Sequence, residues 1–392
     1  MSKIIYQCLI FLLCLLVLVG CWDRTELNEQ AIWLASGFDV GKEDGLKVSG
    51  QIVIPANMQN QNGGSKGKDH FILSDEGVNL GDAFQKMEAK LSRKGFYGLR
   101  KVFFIGEELA RRGISKELDN VTRGSEVSIR TDVFVVKGDT AINVLNVSNP
   151  LEKPSAIAAL KEHQQIGGRG STVFLDFLNA ANSDGLRPTI PLIEITETQT
   201  GENSDKKESI VQVAGLGIFN KELKMVGMLN QTENQDLLWI LGYLPKHTLS
   251  TPLRDGNATL QLHHLSSKIK PVIEKSNHIT FKVELSGEGT LFENNTLLNP
   301  EKKSDLKEFE KAFNELAKKQ VLSTIKKVQS ESGQDIFGFG EVIHRKDPRK
   351  WKDLKDDWDQ YFTQADVKVT TKIKINNIGI TGPSVLNKNG GS

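Results

Sequence analysis

The stretch Ala365-Asp366-Val367-Lys368-Val369-Thr370-Thr371-Lys372-Ile373-Lys374-Ile375 alternates apolar or β-branched residues with polar ones more regularly than any other part of the chain. Successive side chains on a strand point to opposite faces, so a period of two predicts a strand with one face buried. That face needs partners. Ile279, Phe281, Val283 and Leu285 show the same alternation and supply a second strand. Between the two lie Leu306, Phe309, Phe313, Leu316, Ala317, Gln320, Val321, Ile325 and Val328, at the three- and four-residue steps of one helix face. Asn299-Pro300 is read as the helix start, because proline at the first helical position loses no hydrogen bond. About thirty residues of helix would span roughly 45 Å. A long helix packed on such strands predicts a C-terminal α+β unit over residues 256–385.

Upstream the patterns are shorter. Ala31 to Val40 and the alternating segment Leu46 to Ile54 predict two strands joined by a turn at Gly41-Lys42-Glu43-Asp44-Gly45. Asn57 to Lys68, rich in Asn, Gln, Gly and Lys, is read as a mobile loop. Asn79 is placed to cap a helix carrying Leu80, Ala83, Phe84, Met87 and Leu91 on one face. Lys101 to Ile105 and Ser128 to Val136 predict further strands, each followed by a short helix. These segments make an N-terminal α+β domain over 31–150. Two helices, Pro154 to Gln165 and Ser171 to Ala181, flank Gly167-Gly168-Arg169-Gly170 and lead into a middle α+β domain over 151–255. There Thr189 to Glu197, Ser209 to Phe219 and Leu223 to Leu229 predict a three-strand meander, and Asn234 to Leu244 a helix. The fold class expected is α+β with three domains, each a mainly antiparallel or mixed sheet packed with helices. Residues 386–392 form a tail.

The N-terminus carries an address. Lys3 precedes the apolar run Ile4 to Val19, and Leu18-Val19-Gly20-Cys21 closes it. A basic start, an apolar core and a small-residue exit read as a secretory signal over residues 1–20. A membrane span usually needs about 20 apolar residues; this run is shorter and Gln7 interrupts it. The Leu-x-Gly-Cys ending resembles a bacterial lipobox. The resemblance implies that Cys21 receives a diacylglyceryl group and an N-acyl chain and becomes the first mature residue. Residues 21–30 would then be a lipid-anchored tether. Two acyl chains give stable attachment where one is marginal.

Composition excludes several classes. All three cysteines, Cys8, Cys14 and Cys21, lie in the signal or at its end, so the mature chain has none for a disulfide or a thiolate zinc site. Positive and negative side chains balance, at Lys+Arg 50 and Asp+Glu 49, which argues against nucleic acid and against a polybasic membrane patch. The seven histidines form no HExxH pattern. His263 and His264 are adjacent, and on a regular strand they would point to opposite faces, so no metal site is expected. Gly63-Gly64-Ser65-Lys66-Gly67-Lys68 lacks the first glycine and the final Ser or Thr of a phosphate loop: Asn62 and Asp69 stand there. No nucleophile elbow is present. Neither catalytic residues nor cofactors are expected. Asp335-Ile336-Phe337-Gly338-Phe339-Gly340-Glu341, with Trp351, Trp358 and Phe362, is read as a local aromatic core.

Two of these stretches carry a family resemblance. Cys21-Trp22-Asp23-Arg24-x-Glu26-Leu27-Asn28 resembles the mature start of Ger(x)C-type spore germination lipoproteins. Asp335, Gly338, Phe339 and Gly340, followed by Pro348, Trp351, Trp358 and a closing strand ending near Gly379, resemble that family's C-terminal pattern. Gly106 to Ala110, Ala214 to Phe219 and Gly227 to Leu229 are also similar. The resemblance implies a non-enzymatic, three-domain α+β lipoprotein on the outer face of the spore inner membrane. It implies membrane lipid (through Cys21) and the integral membrane A and B subunits of a nutrient germinant receptor as partners. Two other readings remain open. One is a lipid-anchored small-molecule-binding protein serving a permease, and the other is a receptor assembly factor.

Overall fold

The structure, a computed structural model, describes residues 3–7, 29–53, 70–124, 128, 130–152, 154–167, 173–199, 207–274 and 278–379. Cys21, the Asn57 to Lys68 stretch and the 386–392 tail lie outside the described residues, as do Gly168, Arg169 and Gly170. Among the described residues no helix is long and apolar enough to cross a membrane.

The strands are β1 (Gln30–Val40), β2 (Leu46–Val53), β3 (His70–Gly77), β4 (Lys94–Phe96), β5 (Val102–Gly106), β6 (Asp132–Val136), β7 (Thr189–Gln199), β8 (Lys207–Phe219), β9 (Met225–Leu229), β10 (His247–Leu253), β11 (Gly256–Ile273), β12 (Ile279–Asn294) and β13 (Asp366–Asn377). The helices are α1 (Leu80–Glu88), α2 (Glu107–Arg112), α3 (Ser115–Arg123), α4 (Ala141–Asn146), α5 (Ser155–Gln165), α6 (Val173–Ala181), α7 (Gln231–Ile240), α8 (Lys303–Lys327), α9 (Phe339–Lys346), α10 (Pro348–Leu354) and α11 (Trp358–Gln364).

The α+β class holds, but the described strands form two sheets rather than three. The first runs β3-β2-β1-β5-β6-β7-β8-β9, with β4 beside β1, and so passes without a break through both the 31–150 and the 151–255 segments. The joint is parallel pairing of β6 with β7, at Val135↔Leu192 and Val136↔Ile193. The centre of this sheet is parallel and its two flanks are antiparallel. Both faces are covered, which is the usual condition of a parallel sheet. On one face Trp33, Phe103, Val133 and Val135 meet α1, α2, α3 and α6. On the other, Phe104, Phe134 and Val211 meet α4 and α5.

Local chemistry sets several element ends. The Asn79 side chain accepts from Asp82 N–H and caps α1, as expected. The helix expected from Asn234 starts earlier, at Gln231. Asn230 and Glu233 form a reciprocal capping box there, satisfying two otherwise orphan amides. The long helix starts later than Asn299-Pro300. Lys302 N–H donates to Asn299 C=O and Glu301 N–H to the Asn299 side chain, so 299–302 is a turn. From Lys303 the helix runs to Lys327, and a π turn continues it to Ser332.

The second sheet is β10-β11-β12-β13, antiparallel except that β13 runs parallel to β12. The α8 residues Phe309, Phe313, Ala317, Val321 and Ile325 pack on Phe281, Val283, Leu285, Val369 and Ile373, all buried. This helix also protects the free edge of β13. Ile373 N–H donates to Asn314 Oδ1 (2.9 Å), and Ile375 N–H donates to Glu310 Oε1 (3.1 Å). An uncovered row of amides at a sheet edge would invite pairing with another chain.

Candidate functional site

The Asp335 to Glu341 segment is a buried hub, as its aromatic content predicts. The Asp335 carboxylate is fully buried. Its Oδ1 accepts from the N–H groups of Phe337 (3.0 Å) and Phe339 (3.2 Å). Its Oδ2 accepts from Gly340 N–H (2.8 Å) and from the Trp358 indole N–H (3.0 Å). Burial pushes the Asp335 carboxyl up to about 6, and these four donors oppose that rise by favouring the charged form. Around the carboxylate, Phe339 stacks on Phe281 at 4.3 Å and Trp351 meets Trp358 at 5.2 Å. The hub therefore ties α9, α10 and α11 to the second sheet.

The same segment docks on the strand entry before β7. Arg187 N–H donates to Asp335 C=O at 2.8 Å. The buried Arg187 guanidinium donates to Asp184 C=O (3.1 Å) and to the Asp359 carboxylate. Ser183 Oγ donates to Glu341. Gly185 and Gly340 bring two backbones together: a Cβ on Gly340 would stand 2.7 Å from Gly185 Cα. This seam joins the first sheet to the C-terminal unit.

A cavity of ≈ 490 Å³ opens beside the seam. Helices α5, α6 and α7 supply His163, Phe177 and Leu237; β8 supplies Leu216; and Ile336 closes it from the hub. Asp176, Ser183, Asn234, Tyr243 and Glu341 add polar groups to a mostly apolar lining. Burial lowers the His163 imidazole to about 4, so the ring is neutral at pH 7. Its edge meets Phe134 at 5.4 Å, and its Nδ1 has no hydrogen-bond partner among the described residues. This cavity has the size and lining of a small-molecule pocket. Its walls come from segments far apart in the chain, and no local pattern announces them.

On its other side α7 carries a buried acid. Thr324 Oγ1 donates to Asp236 Oδ2 at 2.7 Å. Burial drives the Asp236 carboxyl up to about 7; the Thr324 bond opposes this and the neighbouring Glu233 charge adds to it. The unfolded carboxyl ionises near 3.8, so the folded state takes up a proton across that window. The stability due to Asp236 is therefore full below about pH 4 and falls as pH rises towards 7. Asp236→Asn keeps an acceptor for Thr324. It should exceed the parent by about 2–4 kcal/mol at pH 8 and lose that margin at pH 4, read from urea midpoints. A margin equal at both pH values would refute the buried acid.

His263 and His264 do not behave as the regular-strand argument expects. Their rings lie 5.0 Å apart, centroid to centroid, on one side of the sheet. A bulge in β11 between His263 and Ser266 breaks the period of two.

Two family models match this chain. "Spore germination protein N-terminal domain" matches residues 23–195, and "Spore germination B3/ GerAC like, C-terminal" matches residues 214–379. Spore germination protein KC of Bacillus subtilis (strain 168) is 28% identical over 389 residues, covering 93% of this chain and 94% of that one. Spore germination protein B3 of the same strain is 24% identical over 374 residues, covering 94% and 96%. The crystal structure of the GerBC protein is similar in fold, with a TM-score of 0.57 and 21% identity over 91% of this chain and 100% of that one. The Asp335–Trp358 hub and the closing strand β13 fall within the C-terminal match, and most of the first sheet within the N-terminal match. The chain thus belongs to the GerAC-like family of spore germination proteins, the C subunits of germinant receptors.

Proposed function

We propose that this chain is the lipid-anchored C subunit of a spore nutrient germinant receptor. It acts through protein contacts with the integral membrane A and B subunits, on the outer face of the spore inner membrane. The match to both the N-terminal and C-terminal family models carries the reading. The sequence Leu18-Val19-Gly20-Cys21 supports the anchor: after cleavage the lipid on Cys21 would hold the folded units at the membrane. No chemical step is assigned to the chain in this role.

Cys21→Ala tests the anchor. The membrane-bound fraction in spore lysates should fall by at least about tenfold, since both acyl chains are lost together, and nutrient-triggered germination should slow with it. Unchanged membrane retention, or normal germination from a released protein, would overturn the anchoring role. Crosslinking in spore membranes followed by co-purification should recover the two integral subunits.

The cavity beside the seam favours a second reading, capture of a small molecule for a membrane protein. Calorimetry of the full chain in detergent with amino acids, sugars and nucleosides separates the two. A receptor subunit working by protein contact gives no saturable heat, and micromolar binding supports capture.

A further inference from the structure

The paired register of β11 and β12 slips twice, between Thr259 and Leu260 and again between His263 and Ser266. His263 faces Glu288 and Ser266 faces Ser286, so His264 and Leu265 stand where β12 offers only Gly287. Leu265 turns toward the core; a Cβ on Gly287 would lie 2.9 Å from its Cδ2. His264 is the extra residue, and it adopts a left-handed backbone with φ of 50°. A non-glycine residue in this region costs roughly 1–2 kcal/mol. The bulge thus turns two consecutive imidazoles to the face away from α8, beside the carboxylate of Glu288. His264 Nδ1 lies 3.2 Å from Glu288 Oε2. One ligand atom from each of the three residues falls within 4.8 Å of the others.

We propose that His263, His264 and Glu288 form a binding site for a zinc-like divalent transition-metal ion. Ligand atoms on a tetrahedral ion with bonds of about 2.0 Å lie roughly 3.3 Å apart. The His264–Glu288 separation already meets that spacing. Both histidines and the glutamate are partly or fully exposed, so side-chain rotation can bring the third ligand in while water completes the shell. The donor set selects the class of ion: two imidazoles suit Zn²⁺, Ni²⁺ or Cu²⁺, whereas Ca²⁺ and Mg²⁺ need several oxygens. A bound ion would pin the bulge and cross-link β11 to β12.

His264→Gly is the informative variant, since glycine accepts the left-handed backbone and removes only the ligand. Titration calorimetry would use full-length untagged protein in detergent, with ZnCl₂ as probe and CaCl₂ as comparison. The expected result is one saturable Zn²⁺ site of micromolar affinity, with no matching Ca²⁺ site. Its affinity should fall at least tenfold in His264→Gly and in Glu288→Gln, while His264→Gly melts no lower than the parent. Absence of a saturable Zn²⁺ site in the parent, or equal Zn²⁺ binding by His264→Gly, would overturn the proposal.

Discussion

Asp335→Ala should destabilise the C-terminal unit by about 4 kcal/mol or more, the largest effect expected of any single substitution outside the anchor. The carboxylate accepts from four donors, three backbone amides and the Trp358 indole, all in a buried site. Hydrogen bonds to a charged group contribute roughly 1.5–3 kcal/mol each, and deletion leaves every donor desolvated without an acceptor. No water would reach them without opening the aromatic cluster. Asp335→Asn keeps one acceptor oxygen but turns an NH₂ group toward other donors, so it should recover only part of the loss. Urea unfolding followed by tryptophan fluorescence reads this directly, because the Trp358 indole is one of the four donors. A loss below 1 kcal/mol in the alanine variant would remove Asp335 as the organising residue.

Gly340→Ala should give the second large effect, for a different reason. The new Cβ would stand 2.7 Å from Gly185 Cα, 2.8 Å from Gly185 O and 2.8 Å from the Trp351 ring. Two of those three atoms are backbone, so no flexible side chain can move aside. Overpacking of this kind costs about 1–3 kcal/mol. The strain would also fall on Gly340 N–H, one of the Asp335 donors. Gly338→Ala is the control. That residue has a φ of 70°, but its Cβ would have no neighbour closer than 3.8 Å, so only the backbone penalty of roughly 1–2 kcal/mol remains. Thermal melts and limited proteolysis at the seam distinguish the two. Equal behaviour of the alanine variants would mean that the Gly185–Gly340 contact is slack.

These contrasts bear on what the sequence reveals. β13 and the α8 stripe were legible because each buries one face against a single partner, which imprints a clean period on the residues. The Asn79 cap was legible because its chemistry is local. β3 was not: it sits at the sheet edge, and His70 to Glu76 are all partly or fully exposed, so no alternation marks it. The continuity of the first sheet was not legible either, since it rests on pairing between Val135 and Leu192 across a helical excursion. The aromatic hub could be read as core from composition, whereas the role of Asp335 as its common acceptor needed the three-dimensional fold. The cavity gathers His163, Leu216 and Leu237 from three separate elements and Ile336 from the segment before α9. His263 and His264 were misread through the assumption of a regular strand, and one extra residue was enough to void it.

The parallel placement of β13 also governs when the C-terminal unit can form during synthesis. β12 leaves an unpaired edge at Thr280 to Thr290 that only Asp366 to Asn377 fills. Everything between, including α8 and the Asp335 hub, must be made first. Pairing over such a separation carries a loop-closure penalty and is slow. Until β13 arrives, the β12 edge and the apolar face of α8 stay open to other chains. The growing polypeptide therefore passes through a vulnerable interval that ends only when its last described strand docks.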